Sequence, residues 1–143
     1  MPRIEGTKVY VDGQGRTVYS PIIIVSLLYG GFGLDVQAVV DSGADSTMIP
    51  AEVVAALGVE WNKLPVGGSA GGAGGAFAMR PAAVTIKYGH WKFSGPIMIA
   101  EPKRLPVVLL GRNDFFQNFV ARFHWFKAPP EFHLDPAANS GKR

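Results

Sequence analysis

Asp41-Ser42-Gly43-Ala44-Asp45-Ser46 places two acids, two hydroxyls and a glycine directly after the apolar run Ala38-Val39-Val40. A carboxylate carried into the end of an apolar strand is costly to desolvate unless hydrogen bonds or an opposite charge compensate. A retained acid of this kind is a candidate for proton-transfer chemistry, with Asp41 as the leading residue. Asp-Ser-Gly by itself also makes ordinary turns. The second signal is Val107-Val108-Leu109-Leu110, an apolar run that ends at Gly111 and is followed by Arg112 and Asn113. Gly111 comes 70 positions after Asp41. Two apolar strands, one stopping at a carboxylate and one at a glycine, describe a site where the chain passes behind a catalytic loop.

The elements that must position these residues read mainly as strands. Residues 8–11 and 16–19 are β-prone and flank Asp12-Gly13-Gln14-Gly15, which predicts a hairpin. Residues 21–28 are apolar and rich in β-branched side chains, giving a buried strand. Residues 29–33 supply a turn and residues 34–40 return as a strand that ends at Asp41. A short strand over 47–49 leads into a two-turn helix over 50–57, with Pro50 near its start and Gly58 at its stop. Residues 83–88 and 91–93 pair around Gly89-His90, and 96–100 form another strand. Residues 105–110 are a second buried apolar run, 115–119 a short helix, and 121–126 with 131–134 a last hairpin. The polar residues 135–143 read as a flexible tail.

Between 67 and 75 lie six glycines in nine positions. Residues without a Cβ lose the most backbone entropy on ordering, so this stretch is no rigid element. A flexible linker is one reading. Strand-like sequence on both sides and the lack of a second domain after it favour a mobile hairpin near 64–80 within one domain. Gly67, Gly68, Gly71, Gly72, Gly74 and Gly75 would let its backbone approach an extended ligand closely.

With 143 residues the chain can bury the core of one domain, and 48% hydrophobic with 17% charged residues describes a globular protein. Eighteen Gly and eleven Pro point to many turns and an all-β class. There is no Cys, so disulfides and thiolate metal sites are excluded. A net charge of +3 with scattered basic residues argues against a nucleic-acid partner. No apolar leader or span-length stretch is present, so no membrane partner and a cytoplasmic location are expected, unless the chain is excised from a longer one. His90, His124 and His133 share no metal-ligand spacing, and no metal is expected; they read as surface or aromatic-packing residues. The aromatic series Phe115, Phe116, Phe119, Phe123, Trp125 and Phe126 reads as core or dimer interface. The glycine run lacks a following Lys-Ser/Thr and so is no phosphate loop.

Taken together, Val39-Val40-Asp41-Ser42-Gly43-Ala44-Asp45-Ser46 and Val108-Leu109-Leu110-Gly111-Arg112-Asn113 resemble the paired motifs of the retroviral-type aspartic proteases, or retropepsins, and their bacterial relatives. The likeness runs in order from residue 21 to residue 119, with the glycine stretch where that family has its flap. It implies an all-β, closed acid-protease barrel with one or two short helices, active as a two-fold homodimer on a peptide or protein substrate, with no cofactor. It implies a protease domain over 21–134, with residues 1–20 as an N-terminal extension. Asp41 from each subunit would form a carboxylate pair that shares one proton, activates water and protonates the scissile carbonyl. Ser42 resembles the hydroxyl that bonds across to the partner loop, and Gly43 and Ala44 complete that loop. Asp45 has two roles open: an ion pair with Arg112 that braces the site, or an acceptor for substrate backbone. Gly111 and Asn113 would support the loop. Dimerisation also follows from counting, since no Asp other than Asp41 is followed by Ser/Thr-Gly. The alternatives are a non-catalytic dimeric peptide-binding module of the same fold and a form autoinhibited by its first twenty residues.

Overall fold

The computed structural model describes residues 3–5, 8–11, 14–15, 17–71 and 75–137. Twelve strands follow in chain order: β1 (Arg3–Glu5), β2 (Lys8–Val11), β3 (Thr17–Ser20), β4 (Ile22–Tyr29), β5 (Phe32–Val40), β6 (Met48–Pro50), β7 (Ser69–Ala70), β8 (Phe77–Tyr88), β9 (Trp91–Ala100), β10 (Val108–Leu110), β11 (Phe119–His124) and β12 (Glu131–Pro136). Among the described residues, one helix, α1 (Ala51–Ala55), and a single 3₁₀ turn at Trp61–Lys63 interrupt them. Six strands hydrogen-bond in the order β4-β5-β10-β6-β9-β8, and β8 pairs back onto β4 through Leu27↔Ile86 and its neighbours. That return pairing closes a small all-β barrel. β7 extends it at the end of β8, β2 and β3 form a separate hairpin, and β1, β12 and β11 form a three-stranded sheet.

The barrel is filled from every wall by one core of aliphatic side chains, including Ile23, Val25 and Leu27 from β4, Val84 and Ile86 from β8, Ile97 and Ile99 from β9, and Leu110 from β10. Burying each such side chain contributes roughly 1.5–3 kcal/mol. Closure around a single core has a consequence for β4 that its composition hides. The expected continuous burial of 21–28 is replaced by strict alternation: Ile23, Val25 and Leu27 are buried, while Ile24 is 54% exposed. A barrel strand has one inner face, so alternate residues point outward whatever their hydrophobicity.

Three more boundaries differ from expectation. Residues 91–93 and 96–100 are one strand, paired with β8 over its whole length from Tyr88↔Trp91 to Met79↔Ala100. The predicted helix over 50–57 shortens to five residues, and Gly58 at φ +89° ends the turn that follows. No helix forms over 115–119: the chain makes successive turns through Asn118, and Phe119 opens β11. Both the Phe115 and Phe116 N–H groups donate to the Gly111 carbonyl (3.1 Å each), so the helical ladder does not propagate. The helix-like spacing there serves aromatic packing instead. Phe115 and Phe119 stack at 4.7 Å, and Trp91 meets both edge-on at 5.4 Å. Farther along, the aromatic series leaves the core: Phe123, Trp125 and Phe126 are all exposed.

At the tip of the last hairpin, the hydrogen bond from Lys127 holds the Glu131 carboxyl below its ordinary value of 4.5. Beside it, the His124 and His133 rings pack 4.7 Å apart. Asp135 and Pro136, read above as part of the tail, continue β12 opposite Val120 and Phe119. Residues 138–143 lie outside the described residues. Among the described residues no helix is long and apolar enough to cross a membrane.

Candidate active site

β5 and β10 run parallel, with Ala38, Val39 and Val40 in register with Val108, Leu109 and Leu110. Parallel neighbours end at the same edge of the barrel, so Asp41 and Gly111 emerge side by side. The Asp41 N–H donates to the Leu110 carbonyl (3.0 Å) as the last rung between them. The chain then turns, and the Ala44 N–H donates to the Asp41 carbonyl (3.2 Å). Gly43 N–H donates to the Asp41 carboxylate Oδ1 at 2.9 Å. A Cβ at Gly43 would sit 3.2 Å from that oxygen, a tight approach that glycine avoids. Contrary to the cost argument from sequence, Asp41 is not buried: it is half-exposed at the barrel mouth, with Ser42 and Gly43 exposed beside it. Its charge stays solvated in the single chain, and the backbone orients it.

The loops after β5 and β10 are tied to each other along their length. Arg112 N–H donates to the Ala44 carbonyl and Asn113 N–H to the Asp45 carbonyl, both at 2.9 Å. The Arg112 guanidinium bonds the Asp45 carboxylate. Both side chains of that ion pair are more than half exposed, so it contributes at most about 1 kcal/mol by itself. Asn113 takes part through its backbone, its side chain lying on the exposed surface. Gly111 is there for space. A Cβ on it would fall 2.3 Å from the Ser46 carbonyl carbon, so only glycine lets the loops cross at this distance.

Two residues that sequence reasoning passed over carry the buried part of this brace. Thr47 is 1% exposed, and among the described residues it is the sole polar residue in the buried class. Its N–H donates to both oxygens of Asp114 (3.2 and 3.1 Å), its hydroxyl donates to Asp114 Oδ1, and that hydroxyl accepts the Gly111 N–H at 3.1 Å. Asp114 also accepts from Phe115 N–H at 2.8 Å, and its carbonyl accepts from the Asn118 amide at 2.7 Å. A threonine opening a short apolar strand, and an acid three positions past Gly111, were the available signals. Asp114 is not followed by Ser/Thr-Gly and so carries no catalytic signal of its own.

Across from these loops lies the glycine-rich arm. Ser69 and Ala70 pair with Ala78 and Phe77, and Met79 N–H donates to the Gly68 carbonyl (2.9 Å). Gly67 packs against β8 so closely that a Cβ would lie 2.3 Å from the Met79 carbonyl oxygen. Gly68 and Gly71 have open space on that side, and Gly75 adopts φ +92°. Gly72 and Gly74 lie outside the described residues. Side chains from the loop after β9 hold the arm's return strand: Glu101 accepts from Ala78 N–H (2.9 Å), and Arg104 donates to the Ala76 carbonyl (3.1 Å). Between the arm and the loop after β5 runs a cleft of about 260 Å³, lined by residues 43–46 and 69–71 among others. Asp41 itself lies outside this lining and adjoins it through Gly43. A somewhat larger hollow, about 330 Å³, sits at the β4–β5 turn around Leu28, Phe32 and Thr85 and brings no acid–base pair together.

A family model described as aspartyl protease matches residues 25–113. No curated protein matches the chain in sequence. Among solved structures, the EIAV protease complexed with the inhibitor HBY-793 superposes with a TM-score of 0.57 at 23% identity, over 68% of this chain and 86% of that one. A retropepsin-like aspartic protease from Rickettsia conorii superposes with a TM-score of 0.54 at 17% identity, over 96% of this chain and 97% of that one. At these identities the likeness speaks for the fold, which is retropepsin-like.

Proposed function

This chain belongs to the aspartyl protease family, and we propose that it is an aspartic endopeptidase working as a two-fold homodimer. The observation that carries the reading is Asp41 itself: a half-exposed carboxylate, oriented by Gly43 N–H, on a loop pinned to a second loop at the open end of a barrel. Peptide hydrolysis by carboxylates needs an acid and a base at once, and one Asp-Ser-Gly loop supplies a single group. A second copy facing the first across a two-fold axis supplies the other. Two carboxylates at hydrogen-bonding distance share one proton. The ionised member takes a proton from water as the water attacks, and the protonated member donates to the scissile carbonyl oxygen.

Ser42, exposed beside Asp41, would bond across to the partner loop. Asp45 and Arg112 would brace the loop edge, with Thr47 and Asp114 locking its buried side. The glycine-rich arm would act as the flap, its backbone holding an extended peptide as an added strand. Asp41→Asn tests the assignment. It keeps size and hydrogen-bonding shape, so fold and association should persist while cleavage of a peptide library falls by more than about 10³-fold. Pepstatin should silence the unmodified protein in the same assay. Cleavage retained by the variant, or full activity from a species that sediments as a monomer, would refute the proposal.

A further inference from the structure

Three of the chain's four methionines converge on the cleft beside Asp41. They come from three different strands: Met48 from β6, Met79 from β8 and Met98 from β9. Met48 and Met98 are direct register partners across the β6–β9 pair, so their side chains leave the sheet on the same face. The rest of the lining is Gly43, Ala44, Asp45 and Ser46 with the small residues Ser69, Ala70 and Gly71. The three methionines are therefore the largest apolar side chains lining this space, and all three are partly exposed to solvent. Elsewhere the barrel uses Ile, Val and Leu for its packing.

We propose that Met48, Met79 and Met98 form an adaptable side-chain pocket in the substrate cleft. This pocket accepts large apolar residues of different shapes with little discrimination, and peroxide-class oxidants shut it. The proposal rests on the endopeptidase reading for its substrate, an extended peptide, but the pocket can be tested without turnover. Methionine is unbranched, with three rotatable bonds and a polarisable sulfur, so it reshapes around linear, branched and aromatic side chains alike. Isoleucine or valine at the same positions would present a fixed contour, because branching at Cβ leaves essentially one χ1 rotamer.

The same sulfurs make the pocket chemically labile. A thioether attacks the peroxide O–O bond, the sulfur gains one oxygen and is oxidised by two electrons, and the peroxide is reduced, leaving water. The product sulfoxide is polar and chiral, and a large apolar side chain gives it no hydrogen-bond donor. With no cysteine in the chain, thiol oxidation cannot account for such a loss.

The experiment uses the full chain and three peptides with a reduced, non-cleavable bond that differ only in the residue meant for this pocket: norleucine, leucine or phenylalanine. Calorimetric titration reads binding, and the cleavable counterparts read turnover. Untreated protein should bind the three within about threefold of each other, and a Met48→Ile/Met79→Ile/Met98→Ile variant should spread them to about tenfold or more. Hydrogen peroxide, followed by peptide mass spectrometry, should add one oxygen at each of the three positions. It should weaken binding and raise KM by roughly tenfold while kcat holds within about twofold. Methionine sulfoxide reductases should restore both. A Met48→Leu/Met79→Leu/Met98→Leu variant, which has no thioether at these positions, should keep its own starting affinity and KM through the same peroxide treatment.

Unchanged affinity after full oxidation of the three methionines overturns the proposal, as does equal peroxide loss in the leucine variant. So does a threefold window that persists with isoleucine. A protein that binds the peptides but cuts none of them removes the endopeptidase reading and leaves the pocket standing.

Discussion

At Gly111 an added Cβ would sit 2.3 Å from the Ser46 carbonyl carbon, whereas at Gly68 and Gly71 it would meet nothing within 4 Å. The two regions use the same residue for different physical ends. Around Gly111, a single small residue lets two loops cross, and everything near it is tied: Thr47, Asp114, Ala44 and Asp45 all send or receive bonds across the crossing. Among the arm's described glycines, Gly68 and Gly71 relieve no crowding, and order there comes from a two-residue strand and from Glu101 and Arg104 reaching in from a neighbouring loop. Crowding is concentrated behind the carboxylate, and open space surrounds Gly68 and Gly71 in the arm. That division fits chemistry that needs a fixed acid and a substrate that must enter. It also shows that counting glycines says little until each is asked what its missing Cβ would touch.

Gly111→Ala is the sharpest attempt to break the comparison. The colliding atoms are backbone carbon and oxygen of Ser46, which have no rotamer to escape into. Loss of about 3–5 kcal/mol in urea unfolding is expected, with cleavage lost as the Asp41 loop is displaced. A variant of unchanged midpoint would mean that the crossing is loose and that the tied region is no more rigid than the arm.

Thr47→Val comes next. Valine keeps the volume and removes one hydroxyl, leaving the buried Gly111 N–H without its acceptor and Asp114 without one donor. A cost of about 2–3 kcal/mol follows from unsatisfied buried groups. Removing the exposed Asp45–Arg112 pair should cost far less, since solvent already screens it. If Asp45→Asn destabilises more than Thr47→Val, the brace lies at the surface and the buried network is incidental.

How much of this could be read from the chain follows the same line. The strand ending in Asp41 and the strand ending in Gly111 were legible because each is an apolar run stopped by one distinctive residue. Their neighbourhood was legible only through the pairing of the two motifs. Thr47 and Asp114 were not, because hydrogen bonds between residues 67 positions apart leave no local pattern. The turns at 115–118 were misread as a helix because aromatic residues spaced for packing on one side mimic helical periodicity. Alternation in β4 was hidden by isoleucines facing both ways, since Ile24 is as apolar as Ile23 and yet faces solvent.

The smallest effect is the most telling about the arm. Gly68 has no neighbour in the way of a Cβ and no left-handed φ, so alanine there should fit without strain. Replacing glycine at such a position narrows the unfolded ensemble and stabilises by about 0.4–1 kcal/mol. Gly67, one position earlier, should behave in the opposite way, because its Cβ would strike the Met79 carbonyl at 2.3 Å. Thermal or urea unfolding of Gly68→Ala and Gly67→Ala, run side by side, therefore separates the two uses of glycine within adjacent residues. Opposite signs of ΔΔG are expected. Two destabilised variants would mean that Gly68 is also held close to another part of the chain, and the contrast between a crossing that needs glycine and an arm that merely tolerates it would fail at that position.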